Sequence, residues 1–214
     1  MAAQSKLVSF ALVCVLGVAG IAASLIWRQP RPAVALLTGA MLTPSGALPE
    51  FSLIDTHGRK FGSAELRGRW SFMFFGYTNC PDFCPTTLAT LAAMQKRLRA
   101  SRFQARPRVV FVSVDPKRDT PLQLAKYVPY FDPEFIGLTA PDQASIDATA
   151  KKLGVAVLIR PSADGNYTVD HSGEIFVIDP EGGIAAILNG PFTAEALQTD
   201  FQRIVAEHKP GARA

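Results

Sequence analysis

Cysteine, histidine and tryptophan are scarce in this 214-residue chain, with three, three and two copies. Three cysteines close one disulfide at most, which excludes a fold stapled by disulfides. Charge is thin as well: Asp, Glu, Lys and Arg make up 19% of residues, with a net charge of +4 and a pI near 9.1. The basic residues are scattered, and short clusters such as Lys96-Arg97-Leu98-Arg99 read as solvated helix surface. Without a basic stripe or a recognised module, nucleic acid is not an expected partner. No internal repeat or low-complexity tract occurs, which argues against a solenoid.

What the chain does have begins at its N-terminus. After a short tail, 1–6, the run Leu7 to Trp27 holds twenty-one residues without a charge. As a helix it would extend about 30 Å, enough to cross a bilayer core. It is longer than the apolar region of a cleavable signal and ends in Trp27, then Arg28 and Arg31, residues suited to the membrane interface. The expectation is one uncleaved transmembrane helix over 7–27, with Cys14 a small apolar residue within it. Lys6 and the α-amino group on one side nearly balance Arg28 and Arg31 on the other, so the charges leave the orientation open. Residues 28–47, rich in Pro, Ala, Gly and Thr, read as a linker. A single domain is expected over 48–209.

Within that domain, Trp70 to Tyr77 and Arg108 to Val114 are nearly all apolar, as strands buried on both faces would be. Leu88, Leu91, Met94 and Leu98 recur at helical spacing up to about Ala100. Asp119-Thr120-Pro121 signals a helix start, with the helix running to about Tyr130. A short strand near 135–138, a helix near 142–153, a strand near 155–159, a hairpin of 175–179 with 184–188, and a helix from about Thr193 to Glu207 complete the pattern. Strand–helix–strand units followed by a hairpin and a last helix give an α/β, thioredoxin-like domain with a mixed central sheet flanked by helices. Phe72, Phe74 and Phe75 are core.

Chemistry concentrates in Tyr77-Thr78-Asn79-Cys80-Pro81-Asp82-Phe83-Cys84-Pro85. A buried strand delivers the chain to a loop, and two cysteines follow where a helix begins. Helix N-termini favour thiolate, the form that attacks disulfides and binds soft metals. Three residues separate the cysteines, where redox motifs of the thioredoxin type usually have two. Thioredoxins place a cis-proline in the loop that approaches the cysteines. Here no proline occurs between Pro161 and Pro180, and that stretch holds Val169-Asp170-His171-Ser172-Gly173. Two sulfurs and one imidazole suit copper. Zinc tolerates the same set but generally wants a fourth ligand. His57 reads as a turn residue and His208 as a solvated tail residue. Asp115, Arg118 and Asp119 read as a strand-end turn and helix cap in preference to a partner contact.

Three motifs together carry a resemblance: Gly76-Tyr77-Thr78-Asn79-Cys80-Pro81-Asp82-Phe83-Cys84-Pro85, Val114-Asp115-Pro116-Lys117-Arg118-Asp119-Thr120-Pro121, and Tyr167-Thr168-Val169-Asp170-His171-Ser172. Over residues 45–207 the chain resembles the SCO/SenC copper chaperones that help assemble cytochrome c oxidase. The resemblance implies an N-terminal anchor, a thioredoxin-like domain, and copper held by Cys80, Cys84 and His171. The implied partners are the copper-bearing subunit of cytochrome c oxidase and a thiol reductant or copper donor protein. The competing reading is a thiol–disulfide oxidoreductase using Cys80 and Cys84 as a redox-active pair. A peroxiredoxin-type peroxidase gains no support from the histidine. The segment before the anchor is not an Arg-rich transit peptide. That favours a single-pass protein of the bacterial inner membrane with its domain in the periplasm over a mitochondrial one.

Overall fold

The computed structural model of the protein describes residues 35–161 and 166–211. The expected anchor at 7–27 lies outside these residues; among those described, no helix is long and apolar enough to cross a membrane. Among the described residues, ten strands and four α-helices follow in chain order: β1 (Gly39–Ala47), β2 (Ser52–Asp55), β3 (Lys60–Gly62), β4 (Ser71–Gly76), α1 (Phe83–Ala100), β5 (Arg108–Ser113), α2 (Pro121–Tyr127), β6 (Ile136–Thr139), α3 (Gln143–Lys152), β7 (Val157–Pro161), β8 (Tyr167–His171), β9 (Ile175–Ile178), β10 (Gly183–Leu188) and α4 (Ala194–Glu207).

Eight strands form the main sheet, in the order β1-β10-β9-β4-β5-β6-β2-β3. β4, β5 and β6 run parallel and the other pairs antiparallel, the mixed sheet that the sequence pattern predicts. Every residue of β4 is buried, as a central strand covered on both faces requires. Phe72, Phe74, Phe75 and Phe111 are at most 1% exposed, so the predicted phenylalanine core is present.

The helices start where their caps dictate. Thr120, Asp142 and Thr193 each accept a hydrogen bond from a backbone N–H of the first turn, at 3.3, 2.7 and 3.1 Å. α2 stops at Tyr127 and tightens into a 3-10 turn, Val128–Tyr130, where Pro129 supplies no N–H.

Three expectations change. Residues 39–47, read as linker, form edge strand β1 on β10. Pro44 lies in the stretch where the register slips between Met41 and Gly46, and an edge strand tolerates that. The segment before it is fixed to α4: Leu37 N, Thr38 N and Thr38 Oγ1 all donate to the buried Asp200 carboxylate, at 2.8, 2.7 and 2.6 Å. β8 has no counterpart in the sequence pattern; it pairs with β7 as a hairpin separate from the main sheet. His208 is not a solvated tail residue. Its ring meets Trp70 edge to face, centroids 5.0 Å apart, and its Nε2 lies 2.9 Å from Glu181 Oε2. His57 is the exposed turn residue expected, its N–H donating to Asp55 Oδ1 at 2.8 Å.

Candidate metal centre

The centre lies at the C-terminal ends of the parallel strands, the end where α/β sheets present their sites. β4 ends at Gly76, and the chain turns through Tyr77–Pro81 before entering α1 at Phe83, so Cys84 sits in the first turn of the helix. Asp82, at the N-cap, contributes no side-chain cap. Its place is taken by sulfur: the Cys84 N–H donates to Cys80 Sγ at 3.3 Å. A helix N-terminus thus points an N–H group at the sulfur that needs negative charge.

His171 arrives on the last residue of β8. Its Nε2 lies 3.4 Å from Cys84 Sγ, and its Nδ1 lies 2.8 Å from the carbonyl oxygen of Ser172. A carbonyl only accepts, so Nδ1 carries the hydrogen and the Nε2 lone pair faces the sulfurs. Tyr77, Phe74 and Phe83 surround the imidazole, with ring centroids at 6.0, 6.3 and 6.3 Å. Gly173 leaves room for that arrangement: a Cβ there would stand 2.6 Å from Phe83 Cζ and would push the ring away from the imidazole. One ligand atom each from Cys80, Cys84 and His171 lies within 4.8 Å of the others. The three residues singled out in the sequence are thus brought together.

The two thiols are made unequal. Cys80 is half-buried and held down to about 4, first by a hydrogen bond from the Cys84 thiol, with the backbone N–H groups of Cys84 and Asp82 adding to it against burial. Cys84 is fully buried and pushed up, by its hydrogen bond to Cys80 and by burial itself. Without metal, Cys80 is the thiolate and Cys84 holds the shared proton. Thiol alkylation therefore falls on Cys80. Its rate is expected to stay flat from pH 8 down to about 5 and to fall only as pH drops through about 4, because the thiolate is the reacting form. Mass mapping of iodoacetamide adducts across that range checks this. A rate that falls tenfold per unit below pH 8 would mean an ordinary thiol.

Sequence reasoning overlooked the residues behind the ligands. Asp119 is not the helix cap; Thr120 is. Asp119 is wholly buried, with its carboxyl raised by that burial, and it accepts from Thr78 N, Thr78 Oγ1 and Ser113 Oγ at 2.9, 2.6 and 2.6 Å. Asp115 and Arg118 pair with each other and with Tyr167 of β8. The separation of these groups along the chain conceals their association; only the clustering of Asp115, Arg118 and Asp119 hinted at a shared role. A second group of donor atoms, from Asp179, Glu181 and His208, lies at the opposite end of the sheet, where the His208–Glu181 contact fastens the end of α4.

Two sulfurs and an imidazole nitrogen with its lone pair turned inward fit a thiophilic metal; of the common ones, copper accepts three such donors most readily. The fold and donor set define a thioredoxin-like metal-binding protein. The SCO1/SenC family model matches residues 40–206, and the chain belongs to that family. It is 33% identical over 165 residues to a protein of Stutzerimonas stutzeri named as copper-binding, covering 77% of this chain and 80% of that one. A SCO2-like protein of Rickettsia conorii is 41% identical over 134 residues, or 62% of this chain and 64% of its relative. Thus the chain spans slightly less than two thirds of the Rickettsia protein's length. Among solved structures, Arabidopsis thaliana ScoI with copper bound is 31% identical, with a TM-score of 0.71 over 75% of this chain and 98% of that one. Yeast Sco1 with copper bound is 28% identical, with a TM-score of 0.72 over 78% and 92%.

Proposed function

We propose that this protein is a membrane-anchored copper metallochaperone that binds copper through Cys80, Cys84 and His171 and delivers it to the copper-bearing subunit of cytochrome c oxidase during assembly. The observation that carries the reading is the convergence of three donor atoms within 4.8 Å, with Nε2 of His171 freed for a metal by the Ser172 carbonyl. The copper-bound relatives support the choice of metal. Family membership supports the oxidase as recipient, and the uncharged run 7–27 supports the anchor. The domain then lies in the periplasm of a bacterium, where a thiol reductant keeps the pair open and a copper donor protein loads it.

Copper is cargo in this reading. The half-exposed Cys80 thiolate meets it first, Cys84 gives up the shared proton to become the second thiolate, and His171 completes the set without deprotonation. Release is by exchange onto the ligands of the recipient.

The inequality of the two thiols also favours a second reading, the thiol–disulfide oxidoreductase. Cys80 thiolate would attack a target disulfide, forming a mixed disulfide and releasing one target thiolate. Cys84, deprotonated, would then attack Cys80 Sγ, releasing the second target thiolate and leaving a Cys80–Cys84 disulfide. His171→Ala separates the readings: copper affinity of the reduced chain is expected to fall by at least about tenfold, while reduction of a disulfide substrate persists. Competition with a copper(I) chelator and a thiol-release assay measure the two. A wild-type chain with both thiols reduced that fails to bind copper would overturn the chaperone reading.

A further inference from the structure

We propose that the turn Asp115–Asp119 is a bracket that sets the spacing between the cysteine pair and His171, with Arg118 as its positioning residue. The proposal deepens the copper reading above and rests on that reading for its metal-binding test. The ligands ride on two separate pieces of chain. The cysteines follow β4 of the main sheet, whereas His171 belongs to the β7–β8 hairpin, which joins no strand of that sheet among the described residues. Beyond the short link from His171 into β9 and the bond between the Tyr77 side chain and the Val169 backbone, further contacts register one piece against the other.

The turn after β5 holds both. At one end, Asp119 accepts from the N–H and hydroxyl of Thr78, two residues before Cys80, at 2.9 and 2.6 Å. At the other, Arg118 Nη1 donates to the carbonyl of Tyr167 at 3.0 Å and to Asn166 Oδ1 at 3.3 Å. The Arg118 guanidinium lies 3.8 Å from the Tyr167 ring centroid, a stacked cation–π contact. The buried Asp115 ties these together: one carboxylate oxygen accepts from Arg118 Nε and the other from the Tyr167 hydroxyl, the latter at 2.8 Å. Within the turn, Arg118 N and Asp119 N both donate to the Asp115 carbonyl, at 3.2 and 2.9 Å, so its two ends move as one.

Strand geometry carries the effect to the ligand. Tyr167, Val169 and His171 alternate along β8 and face one side. Fixing Tyr167 therefore fixes the face and height at which the imidazole is presented. A guanidinium is needed because the contact combines stacking with a fork of directed donors, which an ammonium does not supply.

Copper(I) competition and metal-free amide hydrogen exchange on the full chain test this, using Arg118→Ala, His171→Ala and the double variant. Arg118→Ala is expected to weaken copper by roughly 10–100-fold, as loss of an orienting partner does. The double variant is expected to bind no more weakly than His171→Ala alone, and β8 amides are expected to exchange faster in Arg118→Ala. Wild-type affinity with wild-type exchange overturns the proposal, as does an equal loss in the His171→Ala background, which would mark general damage. If Arg118→Ala does not fold, Tyr167→Phe decides by the same readouts; it keeps the stacked ring and removes only the hydroxyl bond to Asp115. If the reduced wild type binds no copper, the copper reading fails and exchange alone judges the bracket: faster β8 exchange sustains it, and unchanged exchange overturns it.

Discussion

Exchanging Cys84 for serine is expected to weaken copper binding by more than about a hundredfold while the domain stays folded. Loss of a partner that merely orients a ligand costs about 10–100-fold in metal affinity, so loss of a buried ligand exceeds it. Cys84 is fully buried between Cys80 Sγ and His171 Nε2, and serine replaces a soft thiolate with a hard hydroxyl that stays protonated. The fold survives because the new hydroxyl has Cys80 Sγ and His171 Nε2 beside it as acceptors and so is not buried unsatisfied. A copper titration beside a thermal melt checks both halves. Affinity within tenfold of wild type would remove Cys84 from the ligand set.

Phe111→Ala is expected to cost about 3–5 kcal/mol, a large part of the roughly 5–15 kcal/mol that holds a domain together. The ring is fully buried, with centroids 6.0 Å from Phe74 and 5.9 Å from Tyr127. It also forms the floor of the metal centre. A Cβ on Gly76 would stand 2.7 Å from Phe111 Cε2 and 3.0 Å from Cys84 Sγ, so ring edge and sulfur press on the same bare stretch of β4. Truncating the ring opens space under the sulfur, and alkylation of Cys84 is expected to accelerate. Urea unfolding gives the stability change as a shift in midpoint at constant slope. A loss below about 1 kcal/mol would mean that neighbouring side chains fill the gap.

The parts of this fold that were legible in the sequence are those whose local chemistry and tertiary role agree. β4 and β5 are buried on both sides and read as apolar runs; α1 shows its leucines at helical spacing. β1 was not legible because an edge strand containing Pro44 and two glycines has no alternation to read. β8 does alternate, with Tyr167, Val169 and His171 on one face, yet it is short, half polar and paired only with β7. The ligands themselves were readable, since a cysteine pair entering a helix and a histidine before a buried strand keep their meaning locally. The supports were not. Asp119 meets Thr78, Arg118 meets Tyr167, and His208 meets Trp70, each across a long interval of chain.

The capping of α1 by a sulfur couples chemistry to folding through one atom. An ordinary N-cap is worth about 1 kcal/mol and does nothing else. Here the cap is Cys80 Sγ, so alkylating or oxidising that residue also takes an acceptor away from the first turn of an eighteen-residue helix. The redox state of the thiol is thereby written into the stability of the longest helix among the described residues, and fraying at its N-terminus becomes a gauge of the cysteine's history.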